Sequence, residues 1–192
     1  MVWEGSTAAK DRTAHKLKFH ALDGPFSDRF DCGAGEQNLF LTKHAWEQQR
    51  EGYSRTFIAY VGGIACGYVT IAPSEIRLSR KERPETALFS RVSAIKLAQM
   101  GVDIRYAGYG IGQEIVAFAL LQARRVSQRI GGRYVILDAK PALVGFYGKS
   151  GFVVNDTAQA ERVAEAQKSG RTEAEIAVSM RFDLFRPGAR EL

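Results

Sequence analysis

The chain has 192 residues, 45% hydrophobic and 25% charged, with 19 glycines and only 5 prolines, the make-up of one folded globular domain that can bury a core without disulfide or metal staples. Its longest unbroken apolar run, Ile115 to Leu121, is seven residues, against the roughly 20 needed to cross a bilayer, and the first fifteen residues hold no apolar leader core, so a cytoplasmic protein without membrane anchor or signal peptide is expected. Lys and Arg number 27 against 21 Asp and Glu, a formal +6 that favours anionic partners such as nucleic acid or a phosphorylated cofactor.

Residues 1–15 are polar and are expected to be a disordered N-terminus, which leaves 16–192 as the folded domain. Lys16 to Leu22 reads as a strand, and Asp23-Gly-Pro-Phe-Ser-Asp28 as a turn cluster. From Glu36 to Glu51 the residues Leu39, Phe40, Ala45 and Trp46 recur at helical spacing, which predicts one or two short helices ended by Gly52. Arg55 to Val61 and Ile64 to Ile71 are rich in β-branched and aromatic residues, and Gly62-Gly63 between them predicts a hairpin. Arg77 to Arg91 holds five basic and two acidic residues around a proline and reads as an exposed basic loop or short helix. Ser93 to Val102 is the next expected strand.

The longest predicted helix runs from Gly110 to Ile130, with Ile111, Ile115, Ala119, Val126 and Ile130 on its apolar stripe and Arg124, Arg125 and Arg129 on its polar side. Tyr134 to Ala139 reads as a buried strand. Pro141 suits the first turn of a helix that reaches about Ser150 and ends at Gly151. Phe152 to Val154 and Ile176 to Asp183 are further strands. Residues 155–175, with five acidic and three basic side chains, read as a charged insertion, a solvated helix or loop.

Two stretches carry chemistry. In Val102-Asp-Ile-Arg-Tyr-Ala-Gly-Tyr-Gly-Ile-Gly112, glycines at 108, 110 and 112 let the backbone approach a ligand, and the helix that follows presents unpaired N–H groups and a partial positive charge. Such a loop cradles phosphate, or else is a flexible or tightly packed turn. It lacks the Lys-Ser/Thr ending of a nucleoside-triphosphate loop. It also follows antiparallel strands, which disfavours a dinucleotide fingerprint. The second stretch, Tyr134-Val-Ile-Leu-Asp-Ala139 followed by Lys140 to Phe152, joins a strand, a short helix ending in Phe146-Tyr147, and another strand. Tyr147 is there either as a packing aromatic or as an acid, since a phenol of pKa about 10 can protonate a leaving thiolate of similar basicity. Cys32 and Cys66 show no metal-ligand spacing and read as small buried side chains, and His15, His20 and His44 form no ligand cluster, so no metal is expected.

In this order the two stretches resemble the GNAT family of acetyl-coenzyme A dependent N-acetyltransferases, the glycine run as its pyrophosphate-binding motif and Phe146-Tyr-Gly-Lys-Ser-Gly-Phe152 as its closing motif. The resemblance spans residues 16–154. More narrowly, Phe30-Asp-Cys-Gly33, Ser54-Arg-Thr-Phe-Ile58 and Gly101-Val-Asp103 leading into Tyr106 are similar to the GNAT toxins of bacterial toxin–antitoxin pairs, which acetylate the α-amino group of aminoacyl-tRNA and are neutralised by a small DNA-binding antitoxin. The resemblance implies an α/β fold with a mixed, mostly antiparallel sheet, flanked by helices, whose central strands splay where the strand of Met100 parts from the strand of Asp138. It implies acetyl-coenzyme A as co-substrate, aminoacyl-tRNA and an antitoxin as partners, and a homodimer. It places the cofactor's pyrophosphate on the amides of Ala107, Gly108, Tyr109, Gly110, Ile111 and Gly112, its pantetheine arm and thioester on Gly101 and Val102, and Tyr147 at the sulfur as general acid. Arg55, in a toxin-like segment, is a candidate substrate contact.

Three features of the sequence bear on that implication. Ala107 stands where the family's motif normally has Gln or Arg, so the grip there would rest on main chain. The insertion at 155–175 is longer than the tail of a minimal toxin. No carboxylate sits in a motif that demands a base, which fits an acceptor α-amine that titrates near 8 rather than 10; Glu75, expected just after the second hairpin strand, is the remaining candidate. The basic residues of 77–91 and 121–150 either form a solvated face or meet the phosphates of coenzyme A and tRNA, with salt-dependent binding. Two rival readings stand beside the toxin: a GNAT enzyme acting on a protein or small-molecule amine, and a non-catalytic binding module that keeps the fold.

Overall fold

Alternating apolar residues and the Gly62-Gly63 turn set the first hairpin, and the sheet grows outward from it. The structure, a computed structural model, describes residues 17–83, 85–169 and 176–186. The expected disordered N-terminus, His15 and the end of the charged insertion lie outside these residues. Strands β1 (Lys18–Ala21), β2 (Arg55–Val61), β3 (Ile64–Arg77) and β4 (Arg91–Val102) form an antiparallel meander, and β5 (Tyr134–Ala139), β6 (Val153–Val154) and β7 (Val178–Asp183) complete one seven-stranded sheet in the order β1-β2-β3-β4-β5-β7-β6. Every pairing is antiparallel except β4 with β5. The mixed, mostly antiparallel sheet expected from the sequence is therefore the one observed.

Helix α3 (Ile111–Ile130) covers one face. It buries Ile111, Ile115, Val116, Ala119, Leu120 and Ala123 against Val69, Leu97, Val135 and Leu137, and each fully buried aliphatic side chain contributes about 1.5–3 kcal/mol. Close approach is possible because β3 has Gly67 beneath the helix, where a Cβ would overlap Ile115. Ile130, expected on the apolar stripe, is 82% exposed. The last turn still lies beside β3 and β4, but there Ile130 borders an open hollow with Pro73 and Ile95 instead of packing into the core. On the other face, α1 (Gly35–Leu39), a wider π turn (Phe40–His44) and α2 (Ala45–Arg50) run as one bent helix over Ile58, Ala65 and Tyr68. A third cluster, Ile76, Leu78, Ala94 and Tyr134, lies further along that face.

The second hairpin is longer than predicted. β3 continues to Arg77 and β4 starts at Arg91, so Glu75 lies within a strand and not after it, where it is exposed and paired with Arg91 across the ladder. The predicted insertion begins as helix α5 (Asp156–Lys168), whose first turn is capped by the buried Asn155 side chain. It is docked rather than merely solvated: Ala166 is buried, Glu161 pairs with Arg77 at 2.8 Å, and the Ser179 amide donates to Gln159 at 2.8 Å.

Glu82 pins the loop between β3 and β4 to this helix and to β7. Its carboxylate accepts from the Ser79 amide, the Thr157 hydroxyl and the Arg181 guanidinium. Burial alone would raise its pKa, but those donors outweigh it and hold the carboxyl at about 2. A folded pKa below the unfolded value means stability that is complete above the ordinary carboxylate range and lost as pH falls towards 2. Glu82→Gln is accordingly expected to cost on the order of 2 kcal/mol at pH 7 and almost nothing near pH 2, so that urea denaturation of the variant shows a flatter acid limb.

Candidate active site

β4 and β5 pair only over Ala94–Lys96 with Tyr134–Ile136. Beyond that rung β4 continues to Val102 and β5 to Ala139, and the gap opens into a cleft of about 560 Å³. Leu97 to Val102 line it on one side and Leu137 to Lys140 on the other. The splay is the one expected, and it leaves one main-chain edge of β4 facing the cleft over the stretch that holds Gly101 and Val102.

The glycine run closes one end of the cleft. Gly108 and Gly110 both have φ of 84°, a left-handed conformation that costs other residues about 1–2 kcal/mol, and a Cβ at Gly110 would meet nothing within 4 Å. α3 begins at once, with the Gln113 and Glu114 amides donating to the Gly110 carbonyl. The Ile111 and Gly112 amides therefore precede any intrahelical acceptor and sit at the positive end of a 20-residue helix. Gly112 also lets Phe146 pack on the first turn, for a Cβ there would lie 3.1 Å from its ring. Ala107, Gly108, Gly110, Ile111 and Gly112 all line the cleft. Tyr109 does not: its side chain packs on the α3 core, and its amide donates to Tyr106, as that of Ala107 does to Ile104.

Against the start of α3 pack a short 3₁₀ turn (Pro141–Leu143) and α4 (Val144–Lys149), through Phe146. α4 delivers Tyr147, 9% exposed and edge-on to Phe146 and Phe152 at 5.0 and 5.9 Å. Burial pushes the Tyr147 phenol above its ordinary value, so it is protonated at neutral pH. Gln113 ties the two motifs together, donating to the Phe146 carbonyl at 3.0 Å and accepting from Ser150 Oγ at 2.6 Å. Nothing in its sequence context marked Gln113 for that role.

A third wall was not anticipated. Cys32, Ala34 and Gln37, from the segment entering α1, line the cleft together with Gln99. Cys66 is fully buried, as expected of both cysteines, and burial pushes its thiol to about 11. Cys32 is instead half-buried, with its thiol donating to Asn38 Oδ1 at 3.0 Å. The Phe30–Gly33 motif was the available signal, without a role attached. Asp138 faces the cleft edge but is neutralised by Lys96 at 2.7 Å and Arg162 at 2.5 Å. Arg55 is not brought to this cleft: it borders a separate hollow of about 370 Å³ with Pro73, Val126 and Ile130, beside the other end of α3. Glu75 is absent from the lining too. Among the described residues no group of three or more His, Cys, Asp or Glu side chains is arranged to hold a metal ion, and no helix is long and apolar enough to cross a membrane.

Solved structures share this architecture. The AtaT toxin complexed with acetyl-methionyl-tRNAfMet superposes with a TM-score of 0.69 at 22% identity, over 88% of this chain and 95% of that one. A tyrosine-to-phenylalanine variant of AtaT, bound to the C-terminus of the antitoxin AtaR and acetyl-CoA, gives 0.64 at 22% identity over 87% and 92%. A tyrosine-to-phenylalanine variant of KacT gives 0.69 at 19% identity over 87% and 94%. The sequence pattern of the acetyltransferase (GNAT) domain matches residues 32–167, which takes in the Cys32 wall, the splayed strands, the glycine run and Tyr147. With that match across most of its length, the chain belongs to the GNAT acetyltransferase family.

Proposed function

We propose that the chain transfers the acetyl group of acetyl-CoA to the α-amino group of aminoacyl-tRNA and acts in the cytoplasm as the toxin of a toxin–antitoxin pair. The observation that carries this reading is the cleft itself, lined together by helix-terminal amides, a protonated tyrosine and a wall of Cys32, Ala34 and Gln37 that brings no carboxylate. The AtaT complexes with acetyl-CoA and with acetyl-methionyl-tRNAfMet, and the KacTA–DNA complex, support it by likeness of fold.

Acetyl-CoA supplies an activated thioester. The Ile111 and Gly112 amides, with Gly108 and Gly110 keeping the approach open, suit its pyrophosphate, and the Gly101–Val102 edge of β4 suits the pantetheine arm. The Val102 amide would donate to the carbonyl oxygen as negative charge develops there, a fixed dipole contributing a few kcal/mol. Tyr147 would give its proton to the departing sulfur. No strong base is required, because an α-amine titrates near 8 and is partly neutral at physiological pH, unlike a lysine amine. Asp138, engaged by two cations, is poorly placed to serve as one.

Incubation with labelled acetyl-CoA and a pool of charged tRNA, read by mass spectrometry, is expected to label aminoacyl-tRNA. Expression is expected to arrest growth unless an antitoxin gene is present. Labelling of polyamines or protein N-termini with none on tRNA would instead establish a GNAT enzyme outside toxin–antitoxin systems.

A further inference from the structure

The cleft's third wall is held by polar contacts that the transfer chemistry does not use. Asp103 directly follows the Gly101–Val102 edge and is 1% exposed. Its carboxylate accepts from the Asp31 amide at 3.1 Å, from the Arg105 amide at 2.9 Å, and from Nε and Nη2 of the Arg105 guanidinium at 2.8 Å each. The Ile104 amide donates to the Asp31 carbonyl at 2.8 Å, so the strand end and the segment before α1 are laced in both directions. Asp31 then turns its own carboxylate to the Gly33 amide at 2.8 Å and the Asn38 side-chain amide at 2.7 Å. Asn38 Oδ1 receives both the amide and the thiol of Cys32 at 3.0 Å.

Two further features seat the wall. A Cβ on Gly101 would come within 3.2 Å of the Cys32 sulfur and 2.9 Å of the Tyr68 ring, so only glycine lets Cys32 approach the strand. The buried Tyr68 hydroxyl donates to the Gln37 carbonyl at 2.9 Å, holding the other end of the segment.

We propose that Asp31, Asn38 and Asp103 are positioning residues, which lock the Cys32–Gln37 wall to the β4 end so that the acceptor amine and the Val102 amide keep one fixed spacing. Fixed spacing matters because a displacement near 1 Å at a reacting centre costs about 10²-fold in rate. The inference rests on the acetyltransferase reading, with this wall on the acceptor side of the thioester. Cutting the network at Asn38 then loosens acceptor binding while leaving the glycine run and Tyr147 as they are.

The test uses Asn38→Ala in the full chain, with charged tRNA and acetyl-CoA varied in turn. The expected result is a turnover number lowered at least about fivefold, as a displaced acceptor requires, and a KM for charged tRNA raised at least about fivefold with the KM for acetyl-CoA within about twofold, a KM split that general loss of folded protein would not produce. A second readout is independent of activity: alkylation of Cys32 by iodoacetamide is expected to speed up at least about threefold, since its thiol loses its acceptor. Cys66 is fully buried and does not compete. Asp31→Ala, at an exposed side chain, is expected to act in the same direction. Both KM values rising together, or an unchanged alkylation rate in both variants, would overturn the proposal. If the native chain acetylates no charged tRNA, the acceptor reading fails by itself, and the alkylation arm still decides whether the network holds the wall.

Discussion

Tyr147→Phe is expected to lower turnover at least about tenfold, a loss of at least about 1.4 kcal/mol of transition-state stabilisation, while acetyl-CoA binding stays within about twofold. The substitution is unusually selective at this position. The ring packs between Phe146 and Phe152 and is 9% exposed, and phenylalanine keeps that packing and the order of α4. What disappears is the phenolic proton, which the oxygen carries at neutral pH and which burial makes harder still to lose. A thiolate leaving without an acid must depart as an anion into a half-closed cleft, and general acids of this kind contribute about 10²–10⁴-fold. Steady-state turnover with calorimetric binding of acetyl-CoA separates the two quantities. Full activity in the variant would remove the acid role, whereas a native chain that neither binds acetyl-CoA nor turns over would be the non-catalytic module. Because the phenol is raised above its ordinary value, the native enzyme's turnover is expected to hold on the alkaline side well past neutrality.

How much of this was legible beforehand depends on how local each feature is. The hairpin at Gly62-Gly63, the strand Tyr134–Ala139 and the helix from Ile111 follow from side-chain period and turn chemistry within a few residues, and they stand where the sequence placed them. The splay of β4 from β5 is not local, and only the family resemblance foretold it. Ile130 is exposed because periodicity shows which way a residue faces along a helix but not whether the space beneath it is filled, and here it borders a hollow beside β3 and β4. Glu75 falls outside the predicted strand because the β-branched and aromatic run that marks it stops at Ile71, yet the ladder continues to the Arg77–Arg91 rung. The Cys32 wall was missed for a deeper reason. Its partners Asp31, Asn38 and Asp103 are up to 72 residues apart, and each alone is an ordinary loop or helix polar residue. In the glycine run the sequence showed where amides cluster but not which remain open, since those of Ala107 and Tyr109 are used within the loop.

That last distinction is tested most sharply at Gly112, where Gly112→Val is expected to weaken acetyl-CoA binding at least about tenfold, or about 1.4 kcal/mol. Two effects act in the same direction. The new Cβ would lie 3.1 Å from Phe146 Cζ and 3.2 Å from Cε2, closer than packed carbons sit, so the ring must move. That ring belongs to the residue whose carbonyl accepts from Gln113, so displacing it loosens the tie between the α3 terminus and the helix that carries Tyr147. The branched side chain also covers the first-turn amides that an anion must reach. Overpacking of this kind costs about 1–3 kcal/mol of stability, so thermal denaturation is measured alongside calorimetric binding, and Gly110→Ala provides the contrast. At Gly110 a Cβ meets nothing within 4 Å and only the left-handed backbone resists it, so that variant is expected to lose affinity by a smaller factor without disturbing Phe146. If Gly112→Val binds acetyl-CoA within about twofold of the native chain, the open amides at the start of α3 do not hold the pyrophosphate, and the main-chain grip must lie along the β4 edge at Gly101 and Val102.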